Sequence, residues 1–266
     1  LNKSSGNGYP QTIGSISNSW SLIPKSSTGK WEIVIIRMKY RAVIFDLFGT
    51  LIDTSSRAEY ERVLAQMAVV LKAPRVKFTQ LWFDTFDLRT TGTLTSPEGN
   101  IDHICRHLGI TFSEDQLKRA SAIRFNFTVE SLIPRPDTLA TLGFLKANSY
   151  RVGLITDCSS EVPTAWKNTT MASLIDVPVF SCVEGVKKPD PRIYQRALQR
   201  LVVQAKECLY VGDGSSRELS GAQKIGMHPV LIRVPHEINS DAYRIDEEEW
   251  HGTTISSLSE VMGLLG

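Results

Sequence analysis

Residues 42–53 read Ala-Val-Ile-Phe-Asp-Leu-Phe-Gly-Thr-Leu-Ile-Asp. Four apolar residues stop abruptly at Asp46, and a Gly-Thr pair follows two residues later. A short, unbroken apolar run of this kind predicts a strand buried on both faces, as in a parallel sheet. The form recurs downstream. Residues 151–155 are apolar after Arg151 and end at Thr156-Asp157, and further runs lie at 177–182, 208–211 and 229–232. Between them, 137–147, 191–201 and 217–225 carry helical patterns. Five strands alternating with helices predict an α/β fold with a parallel sheet covered on both sides. Such sheets bind their ligands at the carboxyl ends of the strands, so the polar residues there are the functional candidates.

One block interrupts the alternation. Residues 56–132 contain no strand pattern and four helical ones, over 58–71, over 76–88 with its aromatic side chains, after Ser96-Pro97, and after Ser113. Ser96 followed by Pro is a helix start with Pro at its first position. Ser113 with Gln116 is a capping box. This block reads as an all-helical cap inserted behind the first strand, which leaves 38–55 and 133–266 as the core. Residues 1–37 differ from both. Up to Trp31 they lack Asp and Glu and are rich in Ser, which predicts a disordered extension, either an expression scar or translated upstream sequence, with Met38 as the natural start.

Composition narrows the partners. Lys and Arg number 30 against 28 Asp and Glu, a net charge of +2, which gives no general electrostatic case for nucleic acid or a membrane surface. No apolar run approaches the ~18 residues that span a bilayer. Cys105, Cys158, Cys182 and Cys208 show no metal-ligand spacing. They read as free thiols in a reducing compartment, the cytoplasm. His103 and His107 share a helix face without a third ligand, and Glu247 to Glu249 read as a solvated run.

Four strand-end motifs then converge on one mouth: Asp46 to Asp53; Thr156-Asp157; Lys187-Lys188-Pro189-Asp190; and Gly212-Asp213 with Glu218. Asp46 and Asp213, brought together in a half-buried cleft, repel each other unless a cation lies between them. Oxygen ligands select a hard ion, so Mg²⁺ is the expected cofactor. Thr156, Lys188 and backbone N–H groups around Gly49 and Asp157 can then hold an anion. A metal, a lysine and a carboxylate oxygen suit attack on a phosphoryl centre.

In order and spacing these motifs resemble the haloacid dehalogenase superfamily of Asp-nucleophile hydrolases, over about residues 40–265. The resemblance implies a Rossmann-like core of five parallel strands with a helical cap. It implies Asp46 as nucleophile, Thr156 as substrate-anion ligand and Lys188 as the cation that orients the nucleophile, with Lys187 in solvent. Mg²⁺ would be held by Asp46, Asp213 and the backbone carbonyl of Phe48, with Thr50 and Glu218 behind them. The expected activity is hydrolysis of a small phosphorylated metabolite through an aspartyl-phosphate intermediate.

Two departures stand out. Phosphatases of the superfamily carry a second Asp two residues after the nucleophile as general acid and base, where this chain has Phe48. Glu218 replaces an Asp. Phe48 resembles the haloacid dehalogenases themselves, which use no metal, and a metal-independent 2-haloacid dehalogenase is the rival reading. The intact Gly212-Asp213 and the Thr156-Asp157 pair favour the phosphatase. Asp53 is a conceivable substitute acid. A catalytically weak member kept for binding is the third alternative.

Overall fold

The computed structural model describes residues 19–24, 31–36, 38–237 and 242–266. Two units are distinct, one ending at Lys39 and the other spanning 40–266. In the first, β1 (Ser19–Pro24) and β2 (Trp31–Ile36) pair antiparallel from Ser19 opposite Ile36 to Pro24 opposite Trp31. The expectation for 1–37 is a disordered extension, and these two strands lie within it. The run Ile33-Val34-Ile35-Ile36 is β-branched throughout and favours a strand. The rest of 1–37 lies outside the described residues.

The second unit opens with β3 (Ala42–Phe45) and passes into five helices, α1 (Arg57–Val70), α2 (Arg75–Asp84), α3 (Phe86–Thr90), α4 (Pro97–His107) and α5 (Glu114–Ser131). It then runs α6 (Thr138–Ala147), β4 (Arg151–Thr156), α7 (Glu161–Trp166), β5 (Val177–Phe180), α8 (Ser181–Glu184) and α9 (Pro191–Leu201). The chain closes with β6 (Cys208–Gly212), α10 (Glu218–Lys224), β7 (His228–Ile232), β8 (Thr254–Ile255) and α11 (Val261–Leu264). The sheet order is β5-β4-β3-β6-β7-β8, parallel throughout. It has six strands rather than five. The sixth, β8, is a two-residue edge strand, too short to leave a periodic signature in the sequence.

The sheet's position is fixed by burial. Every side chain of β3 is fully buried, and on one face Ile44, Ile155, Val179 and Tyr210 pack against Ile193, Tyr194 and Ala197 of α9 and Leu219 and Ala222 of α10. The helical block forms its own core from Leu64, Met67, Phe78, Trp82, Ile101, Ile104 and Ala120. The signals at its helix starts correspond to real caps. Ser56 forms a capping box with Glu59, Ser113 forms one with Gln116, and Ser96 accepts from Gly99 with Pro97 at the first turn. The stretch 76–88, expected as one helix, breaks at Thr85. Its hydroxyl donates to the Leu81 carbonyl at 2.6 Å, and the Arg89 guanidinium takes the Trp82 carbonyl at 2.5 Å. The Leu81 carbonyl keeps its ladder bond from the Thr85 N–H at 3.0 Å, and the side-chain bonds beside it accompany the turn of the axis.

Candidate active site

Asp46 is set at the end of the central strand β3, where its backbone N–H continues the ladder to the Val211 carbonyl at 2.9 Å. Its carboxylate is almost fully buried. Lys188 reaches it from the loop between α8 and α9, through a cis Lys188–Pro189 bond. The ammonium lies 2.5 Å from Asp46 Oδ1 and 2.6 Å from Glu218 Oε2. The lysine's own N–H donates to Asp157 Oδ1 at 3.0 Å, so the residue after β4 fixes the loop that carries the cation. Glu218, at the start of α10, also accepts from the Tyr210 hydroxyl at 2.8 Å and the Gly214 N–H at 2.9 Å. With these partners a fully buried carboxylate is satisfied on both oxygens.

Asp213 follows β6. Its Oδ1 accepts from the Ser215 N–H at 3.0 Å and its Oδ2 from Arg244 Nε at 2.9 Å. Gly49 approaches this carboxylate so closely that a Cβ there would strike it, and its φ of +78° also excludes ordinary side chains. Arg244 continues to Glu237 at 2.6 Å, Glu237 to Arg135, and Arg135 Nε to Asp53 at 2.9 Å. Oxygens of Asp46, Asp213 and Glu218 lie within 4.8 Å of one another. Burial, opposed by Lys188 and reinforced by Asp213, pushes the Asp46 carboxyl up to about 6. Burial likewise pushes Glu218 up to about 8. Three carboxylates face only two cations, Lys188 and Arg244, which leaves one negative charge for a further cation to neutralise. The all-oxygen donor set fits a hard divalent ion. Each carboxylate oxygen has a second lone pair beyond the bonds described. The residues therefore fit Mg²⁺.

Above this floor opens a cavity of about 150 Å³. Asp46, Phe48, Asp157 and Lys188 form its lower wall, and Tyr60, Phe86, Arg89, Arg124 and Phe127 of the helical block form the opposite one. Thr54, Ser55 and Tyr243 complete the rim.

The other anticipated residues are placed differently. Thr156 and Thr50 are fully buried beside the cavity rather than on its wall, and neither hydroxyl has a hydrogen-bond partner. A buried orphan hydroxyl costs about 1–3 kcal/mol, so each is a donor in reserve. The Gly49 N–H, expected to hold an anion, instead donates to the Ile52 carbonyl at 2.9 Å and closes the turn after Asp46. Lys187 does not point freely into solvent, since it pairs with Asp87 of α3 at 3.1 Å and ties the helical block to the core. Glu248 is not merely solvated: it accepts from the Leu219 and Ser220 N–H groups and caps α10. Asp53 is paired with Arg135 and is absent from the cavity wall. Cys158 does lie on the wall, its Sγ 3.8 Å from that of Cys182, and all four cysteines are free thiols. The sequence reading missed Arg244, Glu237, Arg124 and Tyr243, which sit in no motif. Lone cations on helices and irregular segments carry no positional signal.

A parallel α/β sheet with a helical block over its strand ends, and an Asp–Lys–Glu cluster beneath, is the arrangement of a hydrolase. The chain belongs to the haloacid dehalogenase-like hydrolases, whose family pattern matches residues 40–226. Among curated relatives it is 26% identical over 230 residues to a glyceraldehyde 3-phosphate phosphatase of Pyrococcus furiosus, covering 85% of this chain and 93% of that one. It is 28% identical over 236 residues to (S)-2-haloacid dehalogenase 4A of Burkholderia cepacia, covering 85% and 94%. Among solved structures, a HAD phosphatase from Thermococcus onnurineus superposes with a TM-score of 0.59 at 21% identity, covering 85% of this chain and 98% of that chain. Among the described residues, no helix is long and apolar enough to cross a membrane.

Proposed function

We propose that this hydrolase is a Mg²⁺-dependent phosphatase of a small phosphorylated metabolite, acting through an aspartyl phosphate on Asp46. The observation that carries the reading is the second buried carboxylate, Asp213, held within reach of Asp46 and Glu218. A reaction that only displaces halide from carbon has no use for this concentration of negative charge. Asp46, Asp213 and the Phe48 carbonyl would hold Mg²⁺, which would supply positive charge to the phosphoryl oxygens.

The chain's own groups do the rest. Lys188 holds Asp46 Oδ1 and so orients Oδ2 toward the cavity. It also adds positive charge beside the nucleophile and keeps that carboxylate ionised. The Thr156 hydroxyl, buried behind the cavity wall without a partner, would have to turn toward the cavity to donate to a phosphoryl oxygen. Oδ2 attacks phosphorus, the ester P–O bond breaks, and the alkoxide departs and takes a proton from water. Water then attacks the Asp46 phosphate and releases inorganic phosphate. Phe48 can supply no proton in either step. The wall offers one carboxyl besides Asp46, that of Asp157, which burial holds above the usual carboxylate range. The resemblance to phosphatases from several archaea supports the same reaction class. Free thiols throughout suit a reducing, cytoplasmic setting.

A metal-free dehalogenase is the second reading, favoured by Phe48 and by the similarity to a haloacid dehalogenase. A panel of phosphate esters and 2-chloropropionate, each with and without a chelator, separates the two. Ester hydrolysis abolished by chelation supports the phosphatase, whereas chloride release in the presence of chelator supports the dehalogenase.

A further inference from the structure

Two thiols face each other at the edge of the cavity. In the sheet, Thr156 of β4 pairs with Phe180 of β5, and two residues beyond each of them lies a cysteine, Cys158 and Cys182. Neighbouring strands run ~4.8 Å apart, so the parallel register brings both cysteines out side by side. Ser181 keeps the two exits together. Its hydroxyl accepts from the Cys158 N–H at 2.9 Å and donates to the Cys158 carbonyl at 3.4 Å. The two Sγ atoms are 3.8 Å apart. Bonded sulfurs are about 2.05 Å apart, so closure asks for a movement of under ~2 Å. Cys158 is 4% exposed and lines the cavity, whereas Cys182 is half-buried. The bond from Cys158 holds the Cys182 thiol below its usual range, against burial and the Glu161 carboxylate, while burial pushes Cys158 well above it. The partners are unlike, one suited to attack and the other to resolve. Cys105 and Cys208 are both buried, which pushes their thiols up to about 11 and about 12.

We propose that Cys158 and Cys182 are a modification site, a dithiol that a hydroperoxide closes to a disulfide, and that closure slows the enzyme. The Cys182 thiolate attacks one peroxide oxygen and the O–O bond breaks. The other oxygen takes up the proton that the thiol lost and leaves as water or an alcohol. The Cys158 sulfur then attacks the Cys182 sulfenic acid, the S–O bond breaks, and the departing hydroxide takes the Cys158 proton to leave as water. Two thiols have given up two electrons, and the peroxide has accepted them. Exchange with a thiol reductant reverses the step. Disulfides of reducing compartments are of this transient kind. The pair's position supplies the consequence for turnover. Cys158 follows Asp157, whose Oδ1 holds the Lys188 N–H at 3.0 Å, so a shift of Cys158 is felt by the loop that carries the cation. The Cys182 carbonyl lies so close to Gly92, just past α3, that a Cβ there would strike it. Closure therefore pulls on the floor of the cavity and on its seam with the helical block. The effect on ester turnover rests on the phosphatase reading, although the disulfide itself does not.

The test treats the whole protein with hydrogen peroxide in steps, alkylates the remaining thiols after unfolding, and maps the unreduced digest by mass spectrometry. Cys158 and Cys182 should appear as one linked pair of peptides that dithiothreitol separates, with Cys105 and Cys208 still alkylated. Hydrolysis of p-nitrophenyl phosphate should fall by about 10- to 100-fold in step with the link and return on reduction, as a displacement of ~1 Å near the reacting atoms would cause. Cys182→Ser should form no link and keep its activity under the same peroxide. Cys158→Ser, which retains the attacking thiol, should instead yield a Cys182 sulfenic acid that dimedone traps. Where a variant fails to fold, as judged by its melting curve, the wild-type map decides. Cys182 oxidised to the sulfinic acid without a link, or a link to any other cysteine, overturns the dithiol. A complete link with unchanged turnover overturns the claim that closure slows the enzyme. Should no ester be hydrolysed, the phosphatase reading fails, and chloride release from 2-chloropropionate replaces ester hydrolysis as the measure of turnover in the same comparison.

Discussion

The two ends of the cavity are built on opposite rules. On the floor the buried carboxylates share cations, with Lys188 between Asp46 and Glu218, and Arg244 between Asp213 and Glu237. Asp46 and Asp213 stand at strand ends, while Lys188 comes from the loop between α8 and α9 and Glu218 from the start of α10. On the roof, Arg89 and Arg124 project from helices of an inserted block, and one of their charges has no partner. A rigid floor of paired charges suits a reaction common to many substrates. An unbalanced roof suits the choice of one of them.

The comparison breaks most readily at the floor. Asp46→Asn removes the nucleophile and should lower kcat by at least ~10³-fold while leaving binding of phosphate esters measurable by calorimetry. Lys188→Ala should cost ~10²–10⁴ in kcat/KM. It leaves Asp46 and Glu218 buried without their cation, so it should also destabilise the fold by about 3–5 kcal/mol in chemical denaturation. A Lys188→Ala protein with near-normal turnover would mean that the floor does not act as a matched set.

Phe48 sharpens the contrast, since it lines the cavity two residues after Asp46, where the phosphatases that this chain resembles carry an Asp. The wild type should lose activity steeply as leaving-group pKa rises. Phe48→Asp should flatten that slope and raise rates on alkyl phosphates by up to ~10²-fold, the lower end for general acid–base catalysis. A flat wild-type profile with no gain in the variant would assign the proton to another group. Asp157→Asn, read by its pH profile, is then the next experiment.

A smaller effect concerns pH. Burial raises Asp46 to about 6 and Glu218 to about 8, so the metal-free floor holds protons that a cation must displace. Apparent Mg²⁺ affinity should therefore rise with pH, by about tenfold per unit for each proton released, and weaken as pH falls through 6. Calorimetry in buffers of different ionisation enthalpy should record proton release on titration with Mg²⁺. The smallest effect is expected at the hinge between the two regions. Lys187→Ala, which removes only a half-exposed pair with Asp87, should change kcat/KM by no more than about threefold and stability by under ~1 kcal/mol.

This division also explains what could be read from the chain before its structure. The run from Ala42 to Asp46 and its repeats gave a parallel sheet, because strands buried on both faces must be apolar throughout. Asp46, Lys188, Asp213 and Glu218 were found because each follows such a strand or the helix start beyond it. The Gly49 amide was misread, since a Gly-Thr turn can either bind an anion or close on itself, and only the Ile52 carbonyl decides between them. Arg244 lies 31 residues from its partner Asp213, and Glu237 lies 102 from Arg135. No local pattern encodes such pairs. The break at Thr85 was equally hidden, because Thr is tolerated in helices and ends this one only with Arg89 folded back on Trp82.

The central claim is that Asp46 carries the phosphoryl group in a reaction that needs a divalent cation. It is tested most directly by incubating the protein with acetyl phosphate, quenching in acid and mapping the modified peptide by mass spectrometry. With Mg²⁺ present, a phosphoryl adduct should appear on Asp46 and accumulate, because Phe48 leaves its breakdown without a base. After exhaustive chelation it should be absent. An unmodified Asp46 under both conditions, together with a covalent ester formed from 2-chloropropionate in the presence of chelator, would contradict the account.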